Sequence, residues 1–77
     1  MTKEYTEDDV LDCNDLNKMP ISTTIVGLDT YYSAIKTGDD KWTFDDRIET
    51  WRNRSSRFIK SAFEYTNFEV NMPDIIR

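Results

Sequence analysis

The chain has no histidine, only one cysteine and only two glycines among its 77 residues. Because Cys13 has no second cysteine, an internal disulfide is excluded. Histidine is the commonest metal ligand and the most frequent general acid or base in enzymes. Its absence, together with the single cysteine, argues against a zinc site. We therefore expect no metal, no other cofactor and no catalytic activity.

Long apolar runs and a basic leader are also missing. A helix that spans a bilayer needs roughly 20 consecutive apolar residues, and no run in this chain approaches that length. The N-terminal segment MTKEYTEDD lacks the basic start and the apolar centre of a signal peptide. The sequence therefore predicts a soluble, cytoplasmic protein that does not bind a membrane.

The length of the chain favours a binding module over an enzyme. We expect residues 1–77 to form one domain, which would bury only ~60% of the surface of the unfolded chain. A deep substrate cleft is difficult to build from so few residues. Hydrophobic residues make up 38% of the chain and aromatic residues 13%, and these large rings are sufficient for a compact core.

Charge is distributed unevenly along the chain, although the formal net charge is −5. Residues 1–46 contain eleven acids and four bases, whereas residues 47–60 contain one acid and five bases, namely Arg47, Arg52, Arg54, Arg57 and Lys60. The two parts either neutralise each other, with exposed pairs that contribute ~0–1 kcal/mol each, or one of them contacts a partner. The sequence leaves both interpretations open.

In the first half of the chain, the spacing of the apolar residues changes from a helical pattern to the alternating pattern of strands. Thr6 and Asp9 form a short version of a capping box and predict a helix over residues 7–13, with Val10 and Cys13 on its apolar face. The β-branched and aromatic residues that follow alternate with period two and predict strands at about 22–28, 31–36 and 41–44. The three strands would form an antiparallel meander, with Trp42 in the core.

Residues 45–65 fit two structures. Apolar residues at spacings of three and four would line one long helix, whereas Asn53, Ser55 and Ser56 favour a break in the middle. We favour the break, which predicts a strand at 48–52 and a helix capped by Ser55 or Ser56. The helix would face the sheet with Phe58, Ile59, Ala62 and Phe63. Alternation from Phe68 to Met72 predicts a last strand.

The predicted fold class is therefore α+β. It consists of a small antiparallel sheet of three to five strands, a short N-terminal helix and one helix near the C-terminus. Gly27 and Gly38 are too far apart for a nucleotide-binding loop. The pairs Asp39-Asp40 and Asp45-Asp46 lack the ligand spacing of a calcium loop, so we assign them to turns.

Two segments carry a resemblance to a known group of proteins. "MPISTTIVGLDTYYSAIKTGDDKW" and "NFEVNMP" resemble small accessory proteins of tailed bacteriophages. These share a proline and threonine strand, an aromatic strand, a Gly-x-x-Trp turn and a closing Phe-x-Val strand before proline. Here Ser22 replaces a glycine of that pattern, and Leu28-Asp29-Thr30 replace its Asp-Gly turn. The match covers about half the chain.

The resemblance implies a class of function, because small acidic phage proteins often inhibit a host enzyme or defence complex. We therefore expect a non-catalytic protein of the host cytoplasm that binds a host protein or protein complex. The alternatives are a structural or assembly accessory protein of the virion and an acidic mimic of nucleic acid. The net charge of −5 argues against binding to nucleic acid itself.

The basic segment and the turn before it form the predicted contact surface. Trp51 supplies a large ring, and Arg52 and Arg54 would lie on one side of the strand beside it. Aromatic and arginine side chains are enriched in interfaces. The predicted partner-binding residues are Asp45, Asp46, Trp51, Arg52 and Arg54. The acidic N-terminal half is the alternative contact surface.

Overall fold

The computed structural model describes residues 2–9 and 11–73. Its strands and helices are β1 (Thr2–Tyr5), α1 (Cys13–Lys18), β2 (Thr24–Gly27), β3 (Ser33–Gly38), β4 (Lys41–Asp45), β5 (Thr50–Arg54), α2 (Ser56–Phe63) and β6 (Phe68–Asn71). The strands form one antiparallel sheet in the order β1-β6-β2-β3-β4-β5. The helices and one face of the sheet enclose the hydrophobic core.

The described sheet has six strands, so the prediction of three to five was wrong. The missed strand is β1, whose sequence TKEY is charged and largely exposed. It pairs with β6 from the far end of the chain, and the Tyr5 ring stacks on Phe68 at a centroid distance of 4.9 Å. Such pairing depends on distant residues, so the local pattern of β1 gave no strand signal.

The first helix also begins later than predicted. The Asp9 carboxylate accepts a hydrogen bond from the Thr6 amide at 2.8 Å, but this pair closes a turn, and the described residues 7–9 and 11–12 are not helical. Helix α1 begins at Cys13, and the Asp12 side chain caps it by accepting from the Asp15 amide. The prediction of a helix over 7–13 was therefore wrong, and Val10 lies outside the described residues.

The predicted meander is confirmed as β2, β3 and β4, and Trp42 is fully buried. The first two strands are displaced from their predicted bounds because residues 28–32 form the connecting loop. Gly27 closes this loop by donating from its amide to the Tyr32 carbonyl at 2.8 Å. A side chain at Gly27 would collide with Thr30, so the close approach of the loop requires glycine.

The predicted break in residues 45–65 is confirmed, and the single long helix is excluded. Strand β5 begins at Thr50, two residues later than predicted, because residues 46–49 form a turn. Ser55 then caps α2 by accepting from the Phe58 amide at 3.3 Å. On the predicted face of α2, Ile59 and Phe63 are buried, while the two other residues are half-buried against the core.

Buried polar side chains attach both helices to the sheet. Lys36 on β3 is 2% exposed, and its ammonium donates to the carbonyls of Leu16, Asn17 and Met19 at the end of α1, each at 2.8 Å. The Trp42 indole donates to the Ser56 hydroxyl at 3.0 Å, at the start of α2. These bonds join the helix ends to β3 and β4, so the orientation of the helices is fixed by polar contacts as well as by packing.

Candidate functional site

Two carboxylates hold the turn between β4 and β5. Asp45 accepts from the Arg47 amide at 2.7 Å, and Asp46 accepts from the amides of Ile48 and Glu49 at 3.0 and 2.8 Å. Arg47 has a φ of 76°, in the left-handed region that non-glycine residues seldom adopt. Three side-chain hydrogen bonds within five residues therefore stabilise this conformation of the turn.

This turn presents an apolar side chain to solvent. Ile48 is 92% exposed. The Arg47 guanidinium lies 4.3 Å from the ring centre of Tyr31, which is 71% exposed and belongs to the loop between β2 and β3. The strand register brings both loops to the same end of the sheet. We call Tyr31, Arg47 and Ile48 the tip surface.

A groove lies between β5 and α2, next to the tip surface. The Trp51 indole donates to the Asp46 carboxylate at 3.3 Å, and the Arg54 guanidinium lies 4.8 Å from the Trp51 ring and 4.4 Å from the Phe58 ring. The groove has a volume of about 390 Å³, and Tyr32 and Phe44 also line it. We call Trp51, Arg54 and Phe58 the aromatic groove.

A β-bulge in β5 determines which side chains reach the aromatic groove. Phe44 pairs with Trp51, but Trp42 pairs with Arg54, so β5 contains one residue more than β4 between these pairs. Asn53 occupies the bulge with a φ of 60°. The extra residue turns Arg54 to the face of Trp51, while Arg52 points to the opposite, exposed face. The prediction that both arginines lie on one side was therefore wrong.

The structure brings together three of the five predicted contact residues. Asp46, Trp51 and Arg54 line the groove. Asp45 shapes the turn through its hydrogen bonds, and Arg52 lies apart on the other face. The prediction missed Ile48 and Tyr31 as exposed side chains. The Asp-Asp pair before Ile48 was the available signal, because aspartates often bond to backbone amides two or three residues later in turns.

The electrostatics of Asp46 follow from its place in the turn. The Glu49 amide, with further bonds from the Ile48 amide and the Trp51 indole, lowers the pKa of the Asp46 carboxyl below its ordinary value of 3.8. Burial opposes this effect to a smaller extent. The charged form of Asp46 is therefore the form that holds both the turn and the Trp51 ring.

The comparisons with known proteins supply no relative for this chain. Protein-family models, curated proteins and solved structures all give no match. Within residues 2–9 and 11–73, no group of three or more acidic or cysteine side chains is placed to hold a metal ion. Neither described helix is long and apolar enough to cross a membrane.

Proposed function

We propose that the chain is a non-catalytic binding protein whose contact surface combines the tip surface and the aromatic groove. We further propose that it is phage-encoded and that its partner is a host enzyme or defence complex, which it inhibits by occupying a surface. The sequence resemblance supports the phage origin. The exposed side chains and the geometry of the turn support the contact surface.

The observation that carries the proposal is the exposure of Ile48 on a turn that hydrogen bonds to the neighbouring aspartates stabilise. Ile48 is 92% exposed, so it contributes little to the core. A fixed turn loses little conformational entropy when it binds, which favours affinity. Burial of this side chain in a partner would yield the full hydrophobic gain, which is the property of an interface anchor.

The surroundings of Ile48 have the composition of an interface. Tyr31 and Trp51 are large rings, and each lies against an arginine. Aromatic and arginine side chains are enriched in binding hot spots because they combine a large apolar area with hydrogen-bond donors.

Quantitative capture of partner proteins from a cell lysate by tagged baits tests this proposal. The baits are the tagged wild type, the Ile48→Asp variant, and the Ile21→Asp variant as a control. Ile21 is also exposed, but it lies at the opposite end of the sheet from Ile48. The next residue, Ser22, donates from its amide to the Lys36 carbonyl at that end. We expect a host protein that the wild type and the control retain and that Ile48→Asp loses.

Other outcomes would change the assignment. A virion protein retained in the same pattern would replace the inhibitor with an assembly accessory protein. Equal retention of every captured protein by all three baits would contradict the tip surface as the contact site.

A further inference from the structure

A second site lies on the other side of α2, away from the aromatic groove. It is a cavity of about 240 Å³ between the segment that precedes α1 and the helix α2. Its floor is apolar and consists of the buried core residues Leu16, Ile25, Ile59, Phe63 and Phe68. None of the described residues that line it also lines the aromatic groove, so α2 separates two independent sites.

The rim of this cavity is acidic. It carries four carboxylates and one ammonium, which belong to Glu7, Asp8, Asp9, Glu64 and Lys60. The ammonium lies 4.0 Å from Glu64 and belongs to the same helix. The other three carboxylates come from the segment that precedes α1, so negative charge dominates the mouth of an otherwise apolar cavity.

We propose that this cavity binds a small organic cation with an apolar body, such as an alkylammonium ion. The apolar lining favours an aliphatic or aromatic body, because such a group leaves water when it packs there. The floor residues are at most 3% exposed, so the aliphatic protein surface that the body covers belongs chiefly to the half-buried Leu11. The carboxylates at the mouth favour an ammonium group, which would stay partly hydrated there. Typical ligand pockets have volumes of ~300–1,000 Å³, so this smaller cavity selects a small ligand.

The negative charge at the rim favours a cationic head group over a neutral or anionic head group on the same apolar body. An anionic head group would be repelled by the rim and by the net charge of −5 on the chain. A neutral alcohol would gain the apolar contact alone. The order of affinity is therefore cation, then alcohol, then anion.

A titration followed by two-dimensional amide NMR tests the proposal with three probes that share one apolar body. The probes are n-hexylammonium, n-hexanol and n-hexanoate. We expect n-hexylammonium to shift the amide signals of the residues that line the cavity and to bind about tenfold more tightly than n-hexanoate. We also expect added salt to reduce this preference.

A matched pair of double variants isolates the rim. Glu7→Gln with Asp8→Asn removes two rim charges, and Glu4→Gln with Glu49→Gln removes two exposed charges elsewhere, so both variants have the same net charge. The rim variant should bind n-hexylammonium no more tightly than n-hexanol, whereas the control should keep the wild-type preference.

Three results would overturn the proposal. They are equal affinity of the wild type for all three probes, shifts confined to residues outside the cavity, and the same loss of preference in both double variants. Failure of all three probes to bind would also exclude the site. None of these results bears on capture by the tip surface, so the two proposals fail independently.

Discussion

Lys36 is a buried lysine whose charge is stabilised by the end of a helix. Three carbonyls at the end of α1 accept from its ammonium, and the negative end of the helix dipole lies at the same place. The ammonium also lies 5.8 Å from the centre of the Trp42 ring. A buried charge is tolerated only when its hydrogen bonds are satisfied, and here the three donors of the ammonium all have partners.

We predict that Lys36→Met destabilises the protein by about 3 kcal/mol, because all three carbonyls lose the ammonium as a donor, and Leu16 keeps only the Met19 amide. Urea unfolding measures the effect. Lys41→Met is the control, since Lys41 is exposed at the start of β4, and it should change the free energy of unfolding by less than about 0.5 kcal/mol. Equal effects of the two substitutions would show that the bonds to α1 do not stabilise the fold.

Asp46 predicts a pH dependence of stability. The pKa of Asp46 is lowered in the folded protein. Its carboxylate therefore contributes fully to the free energy of unfolding above pH 3.8, the ordinary pKa, and this contribution is lost as the pH falls through the lower pKa of the folded state. We therefore expect the difference in unfolding free energy between the wild type and Asp46→Asn to be constant near neutral pH and to shrink below pH 3.8.

Chemical denaturation at a series of pH values measures this difference. Asp39→Asn removes the same charge from another exposed turn and controls for net charge. A pH profile of Asp46→Asn that coincides with that of Asp39→Asn would contradict a specific role of Asp46 in the turn.

At the scale of elements, β5 depends on a residue in the left-handed region. Asn53 adopts this conformation more readily than most residues, and glycine adopts it without strain. We predict that Asn53→Gly changes stability by less than about 0.5 kcal/mol and that Asn53→Val costs about 2 kcal/mol or more. Arg52→Val, at the neighbouring exposed position outside that region, is the control. Equal losses at both positions would contradict the bulge.

The elements that the sequence predicted are those with strong local signals. Alternating β-branched and aromatic residues mark β2 to β4, and a serine cap followed by apolar spacing marks α2. Strand β1 has no such signal, because its stability comes from pairing with β6 across the whole chain. The Thr6 and Asp9 pair was misleading, because the hydrogen bond from the Thr6 amide to the Asp9 carboxylate here closes an isolated turn and does not begin a helix.

The candidate site was predictable only in part for a similar reason. Trp51 and its basic neighbours were recognised from composition. The stacking of Arg54 on Trp51 depends on a single inserted residue, which residue types alone do not reveal. Ile48 was assigned to a strand or a helix face, and its exposure follows from the turn that Asp45 and Asp46 form.

At the scale of the whole molecule, the two described sites lie on opposite sides of α2 and differ in charge. The groove contains an arginine between two rings, whereas the cavity mouth is acidic. The two charged parts of the sequence both contribute to each site, because Asp46 lines the groove beside Arg54 and Lys60 lies among the carboxylates of the cavity mouth. A partner at the tip surface and a cation at the cavity would bind to different regions of the described structure.

The equilibrium dissociation constant for the captured partner tests the central claim most directly. Calorimetry would compare the wild type with Ile48→Asp and with the control Ile21→Asp, each checked for an unchanged melting temperature. We predict that Ile48→Asp weakens binding by about 30-fold or more, equivalent to about 2 kcal/mol, and that the control changes it by less than about twofold. Unchanged affinity of Ile48→Asp would contradict the account, as would an equal loss in both variants.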